Sequence, residues 1–162
     1  MYIPFNKMPE TARIWIYQST RKFNPEEKEF VTQKLAAFCD QWNTHGMLMP
    51  TSFELLYDQF IILAVDEADL GASGCSIDSS VRTLREIEQQ LDVNLLDQGK
   101  ISFINEGNVI ISKLQEIKNY IQAGNLVEET PVFNPLVNKK EDLSNKWLIP
   151  AKDSWLKKYF VN

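Results

Sequence analysis

SFELLYDQFIILAV, residues 52–65, is the stretch on which the fold turns. It divides into two strand-like runs, SFELLYD (52–58) and FIILAV (60–65), with so little between them that an antiparallel hairpin through Asp58 and Gln59 is the economical arrangement. FIILAV is apolar throughout, the pattern of a central strand covered on both faces. SFELLYD carries Glu54 and Asp58, which an edge strand tolerates.

Upstream of the hairpin, RIWIYQS (13–19) alternates and is rich in β-formers, which predicts a first strand with Ile14 and Ile16 on one face and Trp15 and Tyr17 on the other. A helix follows. Asn24 can cap it, Pro25 suits its first position and Glu27 its third, and Phe30, Val31, Leu35, Phe38, Cys39 and Trp42 form an apolar stripe before Gly46 ends the segment. Downstream, Ile77, Val81, Leu84, Ile87 and Leu91 recur at helical spacing, and KISFIN (100–105) reads as a fourth strand. The order βαββαβ predicts an α+β protein with a ferredoxin-like antiparallel sheet, strands one and three central and both helices on one face.

The chain is expected to be a single domain, with the core over about residues 10–105 and an extension over 106–162. In the extension, VIIS (109–112) can pair back onto KISF through Glu106-Gly107-Asn108, Leu114, Ile117 and Ile121 suit a helix ended near Gly124, and prolines at 131, 135 and 150 cut the rest into short pieces. These include a strand at VFNPLV and a final helix around DSWLKKYF. A ferredoxin-like sheet leaves its second face open, so the aromatic tail with Trp147, Trp155, Tyr159 and Phe160 is expected to cover it and bury Trp15 and Tyr17.

The 162 residues include 17 Lys plus Arg against 22 Asp plus Glu, a net charge of −5 that opposes attraction to nucleic-acid phosphates and anionic membrane. The two middle strands offer Trp15, Tyr17 and Phe60 but no basic-glycine-aromatic run of the kind RNA-binding sheets use, and Arg13, Arg21 and Lys22 make only a small basic spot. Neither a signal-like nor a membrane-spanning apolar run is visible, so the expected location is the cytoplasm, with no membrane or nucleic-acid partner. Two cysteines, Cys39 and Cys75, and one histidine, His45, are too few for a disulfide framework or a thiolate metal site, so reduced thiols and no metal or cofactor are expected.

IILAVDEAD (61–69) has the look of the apolar strand ending in Asp-Glu that holds magnesium in ATPases, but none of the six glycines has the GxxxxGK[ST] spacing that cradles phosphates. GASGCS likewise follows the Asp-Glu strand, where an ABC transporter signature would precede it. A functional ATPase is therefore not expected. RIWIYQS, FCDQWNTHG, FIILAVDEADLGASGCSIDSSV, VFNPLV and WLIPAKDSW together resemble a group of short, uncharacterised bacterial proteins that often carry the label "ABC transporter ATPase". That resemblance implies a bacterial origin and a shared fold, and brings no mechanism with it.

GASGCSIDSS (71–80) is the most informative loop. Gly71 and Gly74 permit tight turns, and Ser76 or Asp78 can cap the following helix. Exposed amides at such a helix start would hold a phosphate or carboxylate, which makes Gly74, Ser76, Asp78 and Ser79 the candidate anion site, with Ser73 and Ser80 as further donors. The same setting favours a Cys75 thiolate, for which His45 could be the base and Asp66 or Asp40 the orienting acid. The competing reading is structural: serines cap, Cys75 fills a gap, and His45 caps helical carbonyls beside Trp42. Two functions are thus expected: a non-enzymatic interaction or small-anion-binding protein, dimeric through an edge such as SFELLYD or KISFIN, or a thiol-dependent hydrolase or transferase.

Overall fold

The computed structural model describes residues 1–161. Strand β1 (Arg13–Gln18) leads to helix α1 (Pro25–Gln41), which starts where its capping residues put it. Asn24 accepts from the Glu27 amide, the Glu27 carboxylate accepts from the Asn24 amide, and Pro25 stands at the first position, where its missing N–H costs nothing. Val31, Leu35 and Cys39 are its fully buried stripe. The helix stops at Gln41, and Trp42 turns into extended backbone. Gly46 does not end it. Strands β2 (Asn43–Thr44) and β3 (Met47–Leu48) intervene as a small hairpin turned by His45 and Gly46, both left-handed at φ 51° and 80°.

Strands β4 (Thr51–Leu56) and β5 (Phe60–Val65) are the expected antiparallel hairpin, in register Leu56 to Phe60. Its turn falls on Tyr57 and Asp58, both left-handed. Strand β5 is buried at every residue because β1 and β4 flank it on either side, giving the order β1-β5-β4. Helix α2 (Gly74–Leu91) closes this first compact unit, residues 1–97 with 138–141.

Trp15 and Tyr17 lie on the helical face of that sheet, which corrects the expectation that a C-terminal tail covers them. The Trp15 ring packs 5.8 Å from that of Trp42 with the Arg13 guanidinium 4.5 Å above it, and Tyr17 shares a core with Val31, Leu35, Leu84 and Ile87. The N-terminal segment serves the second face. It is fixed at the outer edge of β4 by Ile3 donating to Thr51 O, and at the outer edge of β1 by Ala12 O accepting from the Lys140 amide. Between those anchors it crosses the sheet with Met8 and Ala12 buried. Ile14, Phe60, Ile62 and Ala64 on the same face are buried too.

The second unit comprises residues 98–137 and those from 142 onward. Strand β6 (Lys100–Asn105) is KISFIN, and β7 (Asn108–Lys113) pairs with it through a two-residue turn of Glu106 and Gly107 at φ 51° and 78°. Helix α3 (Ile117–Gln122) follows a 3-10 turn and ends before Gly124, left-handed as expected. Strands β8 (Pro131–Phe133) and β9 (Leu148–Pro150) complete a sheet of order β7-β6-β8-β9. The DSWLKKYF segment forms 3-10 turns at Ala151–Asp153 and Trp155–Tyr159 in place of an α-helix. Ile101, Phe103, Ile117, Leu126 and Leu156 make this unit's core.

The protein is thus α+β with antiparallel sheets, but KISFIN is not the fourth strand of the first sheet. The local hairpin to β7 takes one of its edges and Val132 pairs with Phe103 on the other, leaving no edge for β1. The place beside β1 goes instead to residues 138–141, through the Ile14 amide to Asn138 O and a bridge between Arg13 and Lys139. KISFIN is therefore an inner strand of the second sheet, flanked by β7 and β8. No helix among the described residues is long and apolar enough to cross a membrane.

Candidate functional site

The loop from Asp66 to Ser80 is built by its own polar side chains. The Asp66 carboxylate accepts from the Ala68 amide at 3.0 Å, and the Glu67 carboxylate accepts from the Ala72 amide at 2.8 Å while pairing with Arg13 at 3.6 Å. A Cβ on Gly71 would sit 3.3 Å from the Glu67 carboxylate, so the glycine makes room for that acid and is not needed for a positive φ. The Asp-Glu pair that mimics a magnesium-binding strand end is therefore the scaffold of the loop. Gly74 is likewise an ordinary first helical residue.

Ser73 caps α2, one turn earlier than the expected Ser76 or Asp78. Its hydroxyl accepts from the Ser76 amide at 3.2 Å and its carbonyl from the Ile77 amide at 2.9 Å. The Ser76 hydroxyl donates to Ser73 O, Ser79 to Ser76 O and Ser80 to Ile77 O. Serines in a first turn commonly bond back to carbonyls this way, which spends the hydroxyls expected to face an anion. Asp78 is exposed beside them, and the Gly74 and Cys75 amides are the N–H groups left at this helix start.

Of the proposed catalytic trio, Cys75 is exposed in the first turn of α2, and His45 is exposed at the tip of the β2–β3 hairpin. Asp66 is turned into its own loop. No hydrogen bond or ion pair joins any two of them among the described residues. His45 does not cap helical carbonyls either; its left-handed backbone makes it a turn residue. The other thiol, Cys39, is fully buried, and burial pushes its pKa up to about 12 despite the Thr51 hydroxyl and the amino terminus nearby. Among the described residues no three His, Cys, Asp or Glu side chains converge as metal ligands would.

The sequence pattern missed the role of Ser76 and Ser80. Both are buried, one turn apart, on the face that continues through Leu84 and Ile87. Their small size admits two large rings: the Trp42 indole donates to Ser76 O at 2.8 Å, and the Tyr17 hydroxyl, whose pKa burial raises, lies beside Ser80. The signal was the i, i+4 spacing of the serines in phase with Leu84 and Ile87.

Polar chemistry is thus confined inside the loop, whereas apolar side chains are exposed around β4. Met47 and Leu48 are 59% and 57% exposed, next to Met49, whose carbonyl accepts from the Met1 amino group at 2.9 Å. Met1, Tyr2 and, at the far end of β4, Tyr57 are exposed as well. In the second unit a depression of about 300 Å³ is bordered by Glu128, Lys152, Asp153, Lys157, Phe160 and Val161, a mixture of both charges. The chain matches no protein-family model, no curated protein and no solved structure.

Proposed function

We propose that this protein is a small cytoplasmic interaction module without catalytic activity of its own, and not an ATPase. The observation that carries the reading is the exposure of apolar side chains beside β4, Met1, Tyr2, Met47 and Leu48 at its start and Tyr57 at its far end, on a chain whose charge otherwise favours solubility. Anion binding at residues 74–79 is disfavoured, since the serine hydroxyls are engaged with carbonyls and the Glu67 carboxylate stands in the same loop.

A photo-crosslinking residue at position 48, with an exposed control at Gln90, tests the reading in cells. Discrete adducts from position 48 and none from position 90 support it; equal yields from both overturn it.

A thiol-dependent hydrolase or transferase is the second reading, favoured by one arrangement: the Trp42 bond to Ser76 ties the hairpin bearing His45 to the helical turn bearing exposed Cys75. It requires turnover that Cys75→Ala abolishes and His45→Asn reduces. Unchanged turnover in Cys75→Ala sinks it.

A further inference from the structure

Strand β4 ends the first sheet, and its outer edge is only partly covered. Odd-numbered residues there direct their backbone groups away from β5, as Thr51 shows: its amide donates to Met1 O and its carbonyl accepts from Ile3 N. Past Thr51 the N-terminal segment forms a 3-10 turn at Phe5–Lys7 that packs against β4 without pairing with it; no strand pairs with the outward groups of Phe53 and Leu55, and the Leu55 amide lies against the Glu54 carboxylate. An unpaired edge of this kind is a template for another strand.

Side chains at the edge define which strand would fit. Phe53 and Leu55 lie on the helical face, with the Tyr2 ring 5.6 Å from that of Phe53, so an added strand would meet apolar neighbours on that side. Glu54 lies on the other face, half-buried, with no ion-pair partner among the described residues; burial raises its pKa while the Leu55 amide lowers it. The alternation therefore asks for a strand of alternating apolar and basic residues. A second copy fits poorly: antiparallel pairing centred on the open stretch sets Glu54 against Glu54, and like charges directly opposite are destabilising.

We propose that the outer edge of β4, from Phe53 to Leu56, adds an extended peptide strand whose lysines or arginines stand beside Glu54 and whose apolar residues stand beside Tyr2, Phe53 and Leu55. The proposal rests on the interaction-module reading and names its partner chemistry. Backbone pairing supplies the affinity, and the alternating side chains supply the selectivity.

The test titrates the ¹⁵N-labelled protein with a capped synthetic heptapeptide alternating valine and lysine, following amide shifts and hydrogen exchange. Expected are shifts confined to residues 1–3 and 51–57, new protection of the Phe53 amide, at least tenfold weaker binding of the valine–glutamate counterpart, and loss of binding when alternate peptide amides are N-methylated. Glu54→Lys should reverse the charge preference; should it not fold, Glu54→Gln must still weaken the lysine peptide.

Absence of shifts, shifts elsewhere, or equal binding of both peptides overturns the proposal. So does a concentration-dependent change at the same amides without peptide, which would assign the edge to a second copy. If the peptide fails while position 48 still gives discrete adducts, the partner chemistry falls and the interaction module stands; if both fail, the module falls as well.

Discussion

Glu27 shows how much one side chain can bind together. Its carboxylate closes the capping box of α1 and takes both guanidinium N–H groups of Arg21, at 2.8 and 2.7 Å, while Arg21 also donates to Leu91 O at the end of α2. The Arg21 hydrogen bond, then that from the Asn24 amide, holds the Glu27 pKa at about 2, against the usual 4.5. A depressed carboxyl pKa contributes stability that is complete above the unfolded value and is lost as pH falls through the folded one. Glu27→Gln should therefore lower the thermal midpoint at neutral pH and flatten its decline between pH 4.5 and 2, measured by thermal melts across that window. An unchanged slope would show that the carboxylate is not a stabilising link.

Left-handed turns give a second residue-scale test. Glu106 occupies the first central position of a type I′ turn before Gly107, where asparagine is the favoured residue, and its side chain is exposed. Glu106→Asn should stabilise the protein by about 0.5–1 kcal/mol, since most L-residues are strained there. For a chain of this size that corresponds to roughly 1–4 °C in melting temperature, readable by calorimetry. A lower midpoint would contradict the turn assignment.

At the scale of elements, α1, β2 and the start of α2 are joined through Trp42. Its ring packs on Phe38 at 4.9 Å and on Trp15, and its N–H satisfies a carbonyl that has no access to water. Trp42→Phe keeps an aromatic ring but removes one of the bonds to that carbonyl, which the Ser79 hydroxyl still serves, a loss of about 0.5–1.5 kcal/mol, expected as a lower urea midpoint with an unchanged slope. The same elements show what could be read beforehand. Asn24, Pro25 and Glu27 act within four residues, and FIILAV declares its burial by composition, so α1 and the β4–β5 hairpin were legible. The Glu106-Gly107 turn makes the pairing of β7 onto KISFIN legible, but a partner far along the chain is not, and nothing local in KISFIN states that Val132 and not β1 will occupy its other edge. The face of Trp15 was misassigned for a related reason: alternation separates Trp15 from Ile14 without saying which face the helices cover. The loop at 71–80 stands out in the sequence, but whether its hydroxyls point outward or back to the chain is a matter of rotamers, and here Ser76, Ser79 and Ser80 point back.

For the whole molecule, the chain folds as two compact units, residues 1–97 with 138–141 and the remainder. Residues 138–141 return to flank β1, and the N-terminal segment crosses the second face of the first sheet, so one edge of that sheet is covered and the other is left open past Thr51. That open edge is the central claim, and native-state hydrogen exchange tests it most directly. The Phe53 amide, unpaired and facing away from β5, should exchange orders of magnitude faster than the Glu54 and Ile62 amides of the paired ladder between β4 and β5. Protection of Phe53 equal to theirs would mean that the edge is already occupied, and would contradict the account.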